Sequence, residues 1–167
     1  HRAHTNFGAE LNDSGHLDLA IREYSRALEI KPDFADANNN LGSALIRMGQ
    51  FEEAIECLLK TLQKEPRKVA ALNNMAVALS LKGDLDDAIR YFGKALRIKP
   101  LYAEAHNGLG NALAQKGRFE EAMLEWGQAA DINPAYAKPH YNMGVVFEQK
   151  GDLRNAEKCF SEAVRIK

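Results

Sequence analysis

Residues 103–136 read AEAHNGLGNALAQKGRFEEAMLEWGQAADINPAY, and this stretch decides the fold because its landmarks recur every 34 positions. Pro134 closes the series Pro32, Pro66, Pro100 and Pro134, and only Pro139 stands outside it. Gly117 belongs to the row Gly15, Gly49, Gly83, Gly117 and Gly151. Gly110 has counterparts at Gly8, Gly42 and Gly144, with Ala76 in the remaining place. Ala122 repeats Ala20, Ala54, Ala88 and Ala156, and Ala129 repeats Ala27, Thr61, Ala95 and Ala163. Agreement of this kind at one fixed period marks a repeat array. Five units follow, 1–34, 35–68, 69–102, 103–136 and 137–167, read as a single array. His1 opens a polar stretch with neither Met nor an apolar leader, so the chain reads as a piece of a longer protein.

Within each unit the spacing predicts two helices. Ala3, Phe7, Gly8 and Leu11 lie three or four apart and form one helical face over residues 1–14. Gly15 then supplies the positive φ that ends a helix. A second helix is expected from Asp18 to Lys31, carrying Ala20, Ile21, Tyr24, Ala27, Leu28 and Ile30. Acidic residues crowd its first turn in four units (Asp18; Glu52 and Glu53; Asp86 and Asp87; Glu120 and Glu121), where they complement the helix dipole. Arg154 breaks the habit. Each proline follows a helix that it cannot continue. Small residues mark helix crossings, Gly8 with Ala20 inside a unit and Ala27 between units. Two rows of large residues fill the remaining space: Phe7, Leu41, Met75, Leu109 and Met143; then Tyr24, Leu58, Phe92, Trp126 and Phe160. No hairpin encloses these side chains alone, so stability comes from stacking.

The 22 basic and 23 acidic residues leave a net charge of -1, without the basic surplus of a nucleic-acid binder. No apolar run reaches the ~20 residues of a membrane-spanning helix. Cys57 and Cys159 occupy equivalent places three units apart, too far for a disulfide, and read as free thiols that leave the compartment open. The five histidines show no metal-ligand spacing, no glycine-rich phosphate loop is present, and no serine sits in a nucleophile elbow. The expectation is a chain that is not an enzyme and needs no cofactor.

The landmarks resemble the tetratricopeptide repeat (TPR), with the pattern W-x2-L-G-x2-Y, A-x3-F and P. The second unit supplies Leu41-Gly42, Leu45, Ala54, Leu58 and Pro66, and the fourth Leu109-Gly110, Leu113, Ala122, Trp126 and Pro134. The tryptophan position departs from the pattern, holding His4, Asn38, Leu72, His106 and His140. The resemblance implies an all-α fold, a right-handed α-α superhelix of about ten antiparallel helices. It also implies a groove lined by the second, fifth, sixth, ninth, twelfth and thirteenth residues of each unit.

Amides concentrate at those positions. The sixth carries Asn6, Asn40, Asn74 and Asn142, broken by Gly108; the fifth carries Asn39, Asn73 and Asn107, with Tyr141 in the last unit; Asn111 lies at a ninth. Asparagine is a poor helix former, so its recurrence calls for a reason. A carboxamide offers an acceptor and two donors, which match the N–H and C=O of an extended peptide. The sixth-position row looks like the asparagine ladder of O-GlcNAc transferase superhelices, which implies a peptide-holding role for Asn6, Asn40, Asn74 and Asn142. The alternative is that these amides cap or bridge neighbouring helices.

Val77, Leu81, Ala70, Ile46, Ala114, Val145 and Tyr141 provide apolar contacts between the amides. The carboxylate clamp of co-chaperone TPRs is missing, since no fifth position carries Lys and no sixth carries Lys or Arg. Arg2, Arg47 and Lys138 read as isolated cations. The expected partner is a protein or peptide, as an extended segment or a partner helix. The alternatives are the substrate-recognition arm of a larger enzyme such as a glycosyltransferase, or a self-associating structural array. The last helix bears Ala156, Cys159, Phe160, Ala163, Val164 and Ile166 without a polar cap, so either the array continues in a longer protein or two copies associate end to end.

Overall fold

The computed structural model describes residues 1–166. Among them every regular element is an α-helix. Ten are present: α1 (Arg2–Asp13), α2 (Leu17–Ile30), α3 (Ala35–Arg47), α4 (Phe51–Lys64), α5 (Val69–Lys82), α6 (Leu85–Ile98), α7 (Ala103–Gln115), α8 (Phe119–Ile132), α9 (Ala137–Gln149) and α10 (Leu153–Arg165). Gly15, Gly49, Gly83, Gly117 and Gly151 all adopt φ between 75° and 100°, the left-handed region open to glycine, and each separates the two helices of a unit. Each periodic proline stands two residues beyond the end of α2, α4, α6 or α8.

The contacts divide the chain into two compact parts, residues 1–91 and 92–167, with the division falling inside α6. In the first part α1 pairs with α2 and α3 with α4, while α2 packs on α3 and α4 on α5. In the second α7 pairs with α8, α9 with α10, and α8 packs on α9. First helices also meet one another: α1 with α3, α3 with α5, and α7 with α9.

The glycine row shows why these hairpins close tightly. A Cβ on Gly8 would lie 2.7 Å from Tyr24, on Gly42 2.8 Å from Leu58, on Gly110 2.6 Å from Trp126 and on Gly144 2.6 Å from Phe160. The eighth position therefore meets the large row of the second helix, and at Gly42 also the backbone oxygen of Ala54, from the alanine row, at 3.3 Å. The third unit carries Ala76 at this position, and its Phe92 ring lies against Gly108, where a Cβ would come within 2.4 Å. That ring is the steric reason for the break in the asparagine row.

Ala20, Ala54, Ala88, Ala122, Ala27, Ala95 and Ala129 are all 0% exposed, as helix crossings require. Leucine at Ala88 should cost about 1–3 kcal/mol through overpacking, read as an earlier midpoint in urea unfolding; an unchanged midpoint would show that the crossing has slack. Phe7 departs from the expected core row, being 51% exposed while Leu41, Met75 and Leu109 are buried. Within the first part, α3 and α5 each have an earlier hairpin against that face, and α1 has none among the described residues.

Two of the histidines that replace tryptophan make polar contacts instead. His4 Nδ1 lies 2.6 Å from Glu23 Oε2, and Arg26 Nη1 donates to Glu23 Oε1 at 2.6 Å. The His4 hydrogen bond, with help from Arg26, holds the Glu23 carboxyl below its ordinary value of 4.5, outweighing desolvation. A depressed carboxyl stabilises the fold fully above the ordinary value and loses that contribution as pH falls through the lower folded value. The thermal midpoint of the wild type should therefore drop more steeply below pH 4.5 than that of Glu23→Gln; parallel curves would assign the acid sensitivity elsewhere.

Candidate functional site

The predicted amides gather into two clusters, one in each part of the chain. In the first, α3 supplies Asn39 and Asn40 and α5 supplies Asn73, Asn74, Val77 and Leu81. Asn39 Nδ2 donates to Asn40 Oδ1 at 3.2 Å, and Asn74 Nδ2 donates to Asn39 Oδ1 at 3.3 Å. In the second, Asn142 Nδ2 of α9 donates to Asn107 Oδ1 at 3.1 Å and to Asn111 Oδ1 at 2.8 Å, both on α7. Trp126 Nε1–H of α8 donates to the same Asn111 oxygen at 3.0 Å.

The fifth-position amides were expected on the open face, yet Asn39, Asn73 and Asn107 are buried, at 8%, 8% and 6% exposure. Adjacent first helices approach closely enough to cover them, and Asn39 and Asn107 join one helix to the next. Asn73 Oδ1 is buried without a hydrogen-bond partner. The sixth-position amides are open: Asn6 is exposed, and Asn40, Asn74 and Asn142 are half-buried, as is Asn111. Among the apolar positions Leu81 and Tyr141 are 55% and 57% exposed and Val77 is half-buried.

Two clefts lie between neighbouring first helices. The one between α1 and α3, about 350 Å³, is lined by Thr5, Asn6 and Asn40 with the charged Arg2 and Asp36. The one between α7 and α9, about 510 Å³, contains Asn111, Asn142 and Tyr141 and no Asp, Glu, Lys, Arg or His. Phe119, Gln115 and Gln149 also line it, with Ala114 and Val145. The sequence signal for these was available in part, because Gln115 and Gln149 share one position of the period. Phe119 belongs to a second helix and gave none.

Arg47, read from sequence as an isolated cation, donates from Nη1 to the backbone oxygen of Asn12 at 2.6 Å and to its Oδ1 at 2.9 Å, tying α3 to α1. His106 is 6% exposed; its Nδ1 lies 2.6 Å from Glu125 Oε2 and its Nε2 2.9 Å from the Pro100 carbonyl oxygen. Both ring nitrogens are thus engaged in holding α7 to α8 and to the segment before it. Cys57 and Cys159 are free, and burial pushes both thiols up, which keeps them protonated and poorly nucleophilic. Among the described residues no group of His, Cys, Asp and Glu is arranged to hold a metal ion, and no helix is long and apolar enough to cross a membrane. On α10, Leu153 and Val164 are 68% and 73% exposed beside an apolar cleft of about 610 Å³.

Repeated helical hairpins with amides on their first helices define a helical repeat protein. The TPR repeat profile matches residues 8–49 and 110–151, and tetratricopeptide repeat profiles match 33–100, 79–125 and 137–167. The chain belongs to the tetratricopeptide repeat family. No curated protein sequence matches it. Its fold is similar to that of TTC0263, a thermophilic TPR protein of Thermus thermophilus, at TM-score 0.87 and 21% identity over 98% of this chain and 90% of that one. It is similar to MamA from Desulfovibrio magneticus RS-1 at TM-score 0.81 and 19% identity, over 99% and 93% of the two chains. YrrB, described as a TPR protein with an unusual peptide-binding site, aligns at TM-score 0.71 and 23% identity, over 98% and 84%.

Proposed function

We propose that the chain is a non-enzymatic interaction scaffold that holds extended peptide on the exposed faces of its first helices. The observation that carries this reading is the way the amides divide their hydrogen bonds. Asn74 and Asn142 each turn Nδ2 onto a buried or half-buried amide, and their Oδ1 atoms take no partner among the described residues. Asn40 receives a bond at Oδ1 and presents Nδ2. In the first cluster a fixed acceptor thus stands beside a fixed donor, the complement of a peptide N–H and C=O, and the second offers the acceptor of Asn142. Anchoring from behind lowers the entropy cost of ordering these side chains on binding.

Family membership and the described peptide site of YrrB support the same class of partner. The two His–Glu pairs act within the hairpins, which favours a scaffold over a catalyst. The test is to select short peptides on the chain by display and to measure their affinity for Asn40→Ala/Asn74→Ala. Unchanged affinity with an intact helical spectrum removes the amide role.

A second reading, contact between copies through α10, is favoured by the exposed Leu153 and Val164. Light scattering over a concentration series tests it, and a constant mass would exclude it.

A further inference from the structure

We infer that the cleft between α7 and α9 is a specificity pocket for one large uncharged side chain of the bound peptide, an inference that rests on the peptide-binding reading. The cleft is about 510 Å³, with apolar surface from Phe119 and Val145 and carboxamides from Asn111, Gln115, Asn142 and Gln149. A charged side chain entering it sheds hydration and meets no charged lining residue, the Lys150 ammonium standing 6.0 Å from the Phe119 ring centroid and already paired with Glu120, which disfavours it. An apolar side chain gains in proportion to the area it loses to water. The amides around it suit the polar backbone on either side of that residue.

The comparison with the other cleft sharpens the choice. Between α1 and α3 the smaller space, about 350 Å³, also has an aromatic wall in Phe34 but carries Arg2 and Asp36, so a polar or zwitterionic residue is accommodated there. One wall of the α7–α9 cleft is held in place before a ligand arrives. Asn142 is bonded to Asn107 and Asn111, and Trp126 holds the Asn111 oxygen from below. A wall held at these residues discriminates by size and charge, because misfit there is not relieved by repacking.

The experiment uses the chain as it stands, with peptides selected from a displayed library of short random sequences and affinities read by fluorescence anisotropy. The selected peptides should share one large uncharged residue. Changing it to alanine should weaken binding about tenfold, the equivalent of losing two buried methylene groups, and changing it to glutamate should weaken it further. Ala114→Phe, which fills the cleft, should flatten the preference between the large residue and alanine. Val145→Ala, which enlarges it, should move the preference toward bulkier residues.

If both variants keep their helical spectra and the preference is unmoved, the pocket is wrong while the peptide-binding reading stands. If Ala114→Phe fails to fold, Val145→Ala alone decides, and an unmoved preference overturns the pocket. If Asn142→Ala binds as wild type while Ala114→Phe still flattens the preference, the pocket stands and the amide reading falls in this part of the chain. A library that yields no peptide overturns both.

Discussion

Replacing Trp126 with alanine should destabilise residues 92–166 by about 3–5 kcal/mol, the range for truncating a buried aromatic side chain. The ring is 3% exposed and lies over Gly110, which has no side chain to move into the space left behind. The cost has a polar part as well. Trp126 Nε1–H donates to Asn111 Oδ1, and its loss loosens the amide that Asn142 also engages. Repeat arrays unfold by segments, so the effect should appear as lost hydrogen-exchange protection in α7–α10 more than as a shift of one global transition. Protection unchanged from wild type would show that α7 and α8 do not depend on this ring.

Changing Asn40 and Asn74 together to alanine should weaken a selected peptide about thirtyfold. Each amide is assigned a net hydrogen bond of about 1 kcal/mol, and about 2 kcal/mol corresponds to that factor. The change also deletes the Asn74-to-Asn39 bond, leaving the buried Asn39 oxygen without its donor. Stability must therefore be measured beside affinity. A stable double variant with weakened binding locates the effect in the ligand contacts. If the loss in stability matches the loss in affinity, the amides serve the stack alone. Because Asn142 lies in the other part of the chain, Asn142→Ala provides a separate measurement of about fivefold, again from a bond of about 1 kcal/mol.

The degree to which the candidate site was readable follows from what a period records. Recurrence of Asn at the fifth and sixth positions placed all of these amides on one side of the first helices, and within each part the structure brings them together there. It did not separate the two rows. Asn39 and Asn40 are adjacent in sequence and both polar, yet the first is buried and the second half-buried, since only the approach of the neighbouring helix distinguishes them. Arg47 was misread for a similar reason: its partner Asn12 is 35 residues away, and no local pattern connects them. Phe119 enters the α7–α9 cleft from a second helix, outside the positions that the resemblance implied for the groove.

The sequence by itself determined the helices, their ends and their repeating packing, because each depends on short-range rules. Three-to-four spacing makes a face, glycine admits positive φ, and proline halts a helix. Tertiary structure alone decided which polar groups are consumed in holding helices together and which remain for a ligand. Hydrogen bonds across 31 to 35 residues depend on how closely two backbones approach, and that distance is set by side chains elsewhere, as the Phe92 ring against Gly108 shows.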